Sequence, residues 1–429
     1  MPSSAPAINY GVLTPYTPQD GTVSSTPNAT PGPSPTPTPQ SPFAGFAVAD
    51  GANGFGAELY VKLAAERKGN FLFSPAGVET VLSMACAGAA GNTAQQMREA
   101  LHFSPPVDKL AAAYAELLAA LNNPAGKDTG QPAYQLIAAT GMWGQRRFGF
   151  KSDFVLSLRK NYGAGMNEAD FATPEEARKS INTWGAQQTR DRFRELIAKG
   201  VIAPQTHLVP ISAIYFKSGW LAGFPKKATA NAPFALAAGK PVDVPMMHLT
   251  KSFGYSEDDT LQMLELPYAR SQLSMVVFLP KKADALAEME KGLSAARIDK
   301  WIKGKKDAPV AVTLPRCTFG SDFLLADTLK GMGMTDAFDE GKADFTGMSP
   351  MEKLCIAQVV HKTCIAVDED GTEGPAPAAA VAAPAGGAAA PELPDAKAFK
   401  ADHPFFFLIR HNPTGQILFV GRLANPKGE

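Results

Sequence analysis

The chain has 429 residues, 45% hydrophobic and 19% charged, with 41 basic residues against 41 acidic ones. That composition supplies a sizeable core and excludes global disorder. Balanced charge without a long run of either sign excludes nucleic acid or an anionic membrane as the main partner.

Residues 1–46 are low complexity and end in NATPGPSPTPTPQSP. So little apolar surface cannot offset the entropy of ordering, and the segment reads as an extended leader or stalk. No signal peptide is visible, and no stretch reaches the roughly 20 apolar residues of a membrane span. The stalk suggests an extracellular or periplasmic protein, with the cytoplasm as the alternative. The folded domain is expected over 47–429.

From Asn53 the pattern changes. Phe55, Leu59 and Leu63 recur at helical spacing, and this helix fades at Lys68-Gly69. A second helix follows Ser74-Pro75, where proline suits a helix start, and runs through Val81, Met84 and Ala87 to Gly88. Helical patterns return at Asp108–Leu121 and Pro174–Ala198. Strands are expected at Ile211–Phe216, Leu273–Pro280 and Val310–Leu314, with a C-terminal hairpin of Phe405–Arg410 and Gln416–Arg422. Helices early and strands late predict an α+β fold with large, mostly antiparallel sheets.

One stretch fits neither pattern. Gly371 to Lys397, GTEGPAPAAAVAAPAGGAAAPELPDAK, is nearly all Ala, Gly and Pro. A structureless segment of this length inside a domain is usually functional, and its small residues make it the most protease-accessible site.

The chemistry search is nearly empty. There is no GxSxG, HExxH, Walker loop or strand-linked GxGxxG, so no enzyme is expected. Cys86, Cys317, Cys355 and Cys364 form no CxxC pair, so no metal or other cofactor is implied. They read as buried small hydrophobes or one incidental disulfide. His361, inside the apolar run CIAQVVHKTCIAV, reads as a hydrogen-bonded core residue, and Asp368–Gly371 lacks the ligand spacing of a calcium loop.

Specific blocks then appear in order. NFLFSP at Asn70–Pro75, GAAGNT at Gly88–Thr93, INTW at Ile181–Trp184 and AIYFKSGW at Ala213–Trp220 resemble the serpin family. So do VPMM, ELPY, ADFTGMS, VVHK, VDEDGTE, ADHPFFFLIR and ILFVGR, over about Gly51 to Pro426. The resemblance implies a fold of three sheets and about nine helices, with a reactive loop over about 370–398. In the family a serine protease attacks this loop as an acyl-enzyme, and the freed loop enters the large sheet as a new strand.

On that resemblance Glu369, Asp370, Gly371, Thr372 and Glu373 open the hinge, followed by Gly374, Pro375, Ala376, Pro377 and Ala378. With Thr372 inward, strand alternation makes Gly374, Ala376, Ala378 and Ala380 inward, all of them small. Ser74, Asn182 and His361 fall where the sheet opens, and Trp220 near the entry point. The scissile bond is expected at Ala385-Gly386, with Val381, Ala382 and Ala383 nearby and Leu393-Pro394 as the other count. Small residues there suit an elastase-like or subtilisin-like serine protease. Only Lys109 is basic in Asp108–Leu121, so no heparin site is expected, and the chain is expected to be a monomer.

Four features depart from the family pattern. Gly77 replaces a usual serine, Ser212 a usual asparagine, and Pro210 lies in the strand beside the insertion path. Pro375 and Pro377 interrupt the hinge, where a proline cannot donate to a sheet ladder. They keep open the alternative of a non-inhibitory member that is only cut.

Overall fold

The computed structural model of the protein describes residues 44–121, 134–350, 354–373 and 395–428. Most of the expected leader (1–43) and of the Ala/Gly/Pro segment (374–394) lie outside them.

The first helix, α1 (Ala44–Glu66), begins well before Asn53. Gly45, Gly51, Gly54 and Gly56 dilute its helical signal, since glycine is a poor helix former. Burial of Val48, Ala49 and Ala52 overrides that preference. At Gly56 a Cβ would stand 2.7 Å from the Pro75 ring, so the glycine lets α1 cross the start of α2 (Pro75–Cys86) closely. Ser74 caps α2, its hydroxyl accepting the Gly77 N–H at 3.1 Å.

Next come α3 (Gly91–Ala100), α4 (Val107–Leu121), α5 (Ser152–Tyr162) and α6 (Pro174–Gln188). The last is shorter than its pattern suggested. Arg190 (φ 51°) and Asp191 (φ 63°) turn left-handed directly after it, and the rest of the expected helix is irregular. Phe193, Leu196 and Ile197 are apolar because they bury on a sheet. Three short helices, α7 (Leu286–Lys291), α8 (Ala295–Lys303) and α9 (Ala326–Gly331), bring the total among the described residues to nine.

Two hydrogen-bonded networks of strands make up the rest. The six-stranded one has the order β10 (Cys317–Leu324), β11 (Val360–Val367), β12 (Gly371–Glu373), β4 (Leu208–Gly219), β2 (Gln135–Gln145) and β3 (Met166–Ala169). The nine-stranded one runs β1 (Phe71–Phe73), β15 (Ile417–Leu423), β14 (Phe405–His411), β8 (Leu273–Pro280), β7 (Leu261–Pro267), β6 (Val242–Glu257), β9 (Lys306–Pro315) and β13 (Lys397–Lys400), with β5 (Ala230–Phe234) also on β6.

The expected third sheet is joined to the second through β6. Its residues 246–255 pair with β9, and its last four, 254–257, pair with β7. The fold is thus α+β, and β14–β15 form the expected C-terminal hairpin.

β4 divides the molecule. Leu208, Ile214 and Phe216 join the main core with α2, whereas Val209, Ile211, Ala213 and Tyr215 lie under α6 and the segment after it. Successive strand side chains point to opposite faces, so one strand serves both cores. Nearly every position of β4 is buried, which is why it reads as a continuous apolar run.

Candidate functional site

The centre of the six-stranded sheet is split. In its lower part β4 and β11 are direct neighbours, with Ile211–Ile214 parallel to Val360–Thr363. Above that seam β12 lies between them, antiparallel to both. Gly371, Thr372 and Glu373 face Gly219, Ser218 and Lys217 of β4, while Thr372 and Glu373 face Val367 and Ala366 of β11.

Each residue of β12 is fitted to that gap. A Cβ on Gly371 would lie 2.1 Å from the Ser218 carbonyl oxygen, so no other side chain fits there without movement. Thr372 points inward and is 1% exposed; its hydroxyl meets the Tyr268 hydroxyl at 2.7 Å. Glu373 points to the other face, where it accepts from Tyr215 at 3.1 Å and pairs with Lys217 at 3.0 Å. The expected inward and outward alternation is present at both residues.

The turn that feeds β12 is held by charge and by an indole. Asp368 N–H donates to the Gly371 carbonyl, closing a tight hairpin between β11 and β12. Arg316 grips Glu369 through Nε at 2.9 and 2.8 Å, and Thr229 donates to the same carboxylate. Burial pulls the Glu369 carboxyl upward, but Arg316 and Thr229 outweigh it and hold it below its ordinary value. Lys226 pairs with exposed Asp370 at 2.8 Å. Trp220 donates from its indole to the Asp368 carbonyl and from its backbone to that of Asp370, and stacks on Tyr268 with ring centres 4.6 Å apart.

His361 fastens the seam. It is fully buried; the Ser74 N–H donates to Nε2 at 2.8 Å, so the other nitrogen carries the proton and donates to the Ser212 carbonyl at 3.0 Å. Burial pushes its pKa down to about 3, so the ring is neutral. With both nitrogens committed to backbone, the imidazole has no capacity left to act as a base. It joins the α2 N-terminus, β4 and β11 into one unit.

Gly77 belongs to the same packing. A Cβ there would fall 2.3 Å from the Ile214 side chain and 2.6 Å from the Ser212 hydroxyl, so a serine would require those two side chains to move. Pro210 sits opposite Met142 of β2. Because Gln145 N–H bonds the His207 carbonyl, odd-numbered residues of β4 face β2 and even-numbered ones face the seam. The nitrogen of Pro210 therefore faces the seam.

Asn182 stands apart from Ser74 and His361, on the opposite face of β4. Its amide donates to the Ile197 carbonyl at 3.0 Å, and its oxygen accepts from the N–H groups of Leu196 and Ile197 at 2.9 and 2.8 Å. It ties the segment covering the sheet to α6. Gly374, Pro375, Ala376, Pro377, Ala378, Ala380, Ala385 and Gly386 lie outside the described residues.

Tyr268, Arg316 and Tyr215 are the functional neighbours that sequence reasoning did not single out. Tyr268 was within reach, as the last residue of ELPY. Arg316 and Thr229 lie far from Glu369 in sequence, and no local pattern connects them. Among the described residues no group of three His, Cys, Asp or Glu side chains could hold a metal ion.

Residues 50–426 match the family described as Serpin (serine protease inhibitor). Leukocyte elastase inhibitor of Equus caballus is 38% identical over 83% of this chain and 93% of its own length, and that of Homo sapiens is 36% identical over 87% and 97%. An uncharacterized serpin-like protein of Thermococcus kodakarensis is 38% identical over 89% of this chain and 86% of its own. Among solved structures, a tumour suppressing serpin superposes with a TM-score of 0.77 at 27% identity, covering 89% of this chain and 100% of that one.

Proposed function

The chain belongs to the serpin family, and from that premise we propose that it inhibits serine proteases as a suicide substrate. Cleavage of the segment after Glu373 would free it to enter the six-stranded sheet as a full central strand. The observation that carries this reading is β12: its three residues already pair antiparallel with β4, and two of them with β11, at the head of a seam closed by four parallel pairs and His361.

The register of β12 extends the reading to the residues beyond it. Continued along β4 and β11, it sets Pro375 against Cys364, Pro377 against Lys362, Ala378 against Ser212 and His361, and Ala380 against Pro210. The Asp368–Gly371 bond fixes which groups face which strand, so both hinge prolines withhold their N–H from β11, at the carbonyls of Cys364 and Lys362. Pro210 withholds a third, from Ala380. Each unpaired carbonyl costs roughly 1–3 kcal/mol, against about 1 kcal/mol gained per net hydrogen bond formed along the strand and the burial of its apolar residues. Insertion stays favourable on that balance but is slowed at its first steps.

Small residues around Ala385-Gly386, and no arginine within 371–396, favour elastase-like or subtilisin-like targets. The relatives' printed name, leukocyte elastase inhibitor, points the same way. All four cysteines are free thiols, which favours the cytoplasmic alternative over an extracellular or periplasmic site. The second reading, a member that is cut without trapping, rests on Pro375 and Pro377.

Incubation with elastase- and subtilisin-type proteases, followed by a denaturing gel, tests the proposal. A denaturant-resistant complex is expected. Complete cleavage at 374–394 with free, active protease would favour the second reading.

A further inference from the structure

Glu79 is the least satisfied group among the described residues. It sits inside α2, 1% exposed, and neither carboxylate oxygen has a hydrogen-bond partner. An isolated buried carboxylate is far costlier than a neutral acid, so such a site holds its proton unless a cation stands near. No cation is paired with it: the described groups of α1, α3, β2, β4 and β15, which also pack on α2, supply no charged partner.

The groups that do face it are weak acids. Tyr114 of α4, 1% exposed, turns its hydroxyl toward the carboxyl, and that hydroxyl has no partner in hydrogen-bonding geometry. Behind it lies Tyr162 of α5, its ring centre 5.7 Å from that of Tyr114 and its hydroxyl also unpartnered. Ser83 and Cys86 of α2 complete the nest, and Arg98 of α3 acts on Cys86 only. The hydroxyl of Ser83 already donates to the Thr80 carbonyl at 2.8 Å.

We propose that Glu79 keeps its proton in the folded protein and makes the helix layer pH-sensitive, its ionisation loosening the packing of α4 and α5 on α2. A neutral carboxyl without a partner is tolerated in this buried nest far better than a charged one. A carboxylate there has only the Tyr114 hydroxyl to favour it and no cation, which does not offset its burial. The same helix carries Gly77, and its cap Ser74, beneath the β4–β11 seam.

Burial alone accounts for the direction of titration: it raises the Glu79 carboxyl well above its ordinary value. Because the folded form binds the proton more tightly than the unfolded one, its contribution is complete below the unfolded pKa. It is lost as pH rises through the folded pKa.

Infrared difference spectroscopy of the whole protein at neutral pH, with and without Glu79→Gln, tests the first half. The band of a protonated, buried carboxyl is expected in the parent and not in the variant; its absence from the parent would overturn the proposal. Hydrogen exchange of α4 and α5 tests the second half, with both proteins compared at the same pH. Equal protection is expected at about pH 5, and faster exchange in the parent than in Glu79→Gln at about pH 9. Equal protection at both would overturn it. Should Glu79→Gln fail to fold, Tyr114→Phe, which removes the one hydroxyl turned toward the carboxyl, takes its place in both measurements, with a shifted carboxyl band and a smaller pH effect on α4 expected. Neither readout involves a protease, so their failure is separate from any failure of inhibition.

Discussion

Gly371 has no room for a side chain, because a Cβ there would lie 2.1 Å from the Ser218 carbonyl oxygen and 2.7 Å from the Gly219 Cα. Gly371→Ala is expected either to strain this pairing by about 1–3 kcal/mol or to push β12 out of the sheet. Urea melts of the intact protein would show the first, and faster proteolysis of residues 371–373 the second; a variant unchanged in both would contradict the packing described. His361 supplies a pH effect opposite in sign to that of Glu79. Its folded pKa is depressed to about 3, so its stabilisation is complete above the unfolded value near 6.5 and is lost as pH falls. Burial also lowers His411, to about 4, and it adds to the same loss. Denaturant stability is therefore expected to decline from about pH 6.5 toward pH 4, and a slope of zero across that window would refute buried, neutral histidines.

At the scale of elements the seam between β4 and β11 is the critical joint. Four parallel pairs and one imidazole close it, whereas the strand replacing them would be antiparallel on both sides. Restoring the N–H groups opposite Cys364 and Lys362, by Pro375→Ala and Pro377→Ala together, is expected to raise the fraction of encounters that end in a covalent complex. Titrating protease against inhibitor measures that fraction, and an unchanged stoichiometry would show that hinge entry is not the slow step. Asn182 belongs to a different element pair, since it fastens the Leu196–Ile197 backbone to α6. Asn182→Ala leaves two buried N–H groups and one carbonyl unpaired, at roughly 1–3 kcal/mol each before relaxation, and is expected to lower the melting temperature. These relations explain why the motif INTW could be recognised in sequence while its contacts could not. The partners of Asn182 lie in a segment that reads as helix and instead leaves α6 through two left-handed residues.

For the molecule as a whole, the resting form holds its sheet open by three residues. Completing the strand after cleavage is expected to raise the melting temperature sharply, because every added residue contributes ladder bonds and the small inward side chains bury without strain. Calorimetry of the intact and the protease-cut protein would record that rise; coincident transitions would mean that the cut segment stays outside. The family, the α+β class and the C-terminal hairpin were legible in the sequence, because these rest on local period and ordered blocks. Only the tertiary structure shows that β12 is already seated, that Arg316 and Tyr268 hold its approach, and that Gly77 packs closely against Ile214. It also shows that the Glu79 carboxyl of α2 is buried without a hydrogen-bond partner. Each of these depends on chain segments tens to hundreds of residues apart meeting across the sheet, and no local pattern records which distant group will fill a given space.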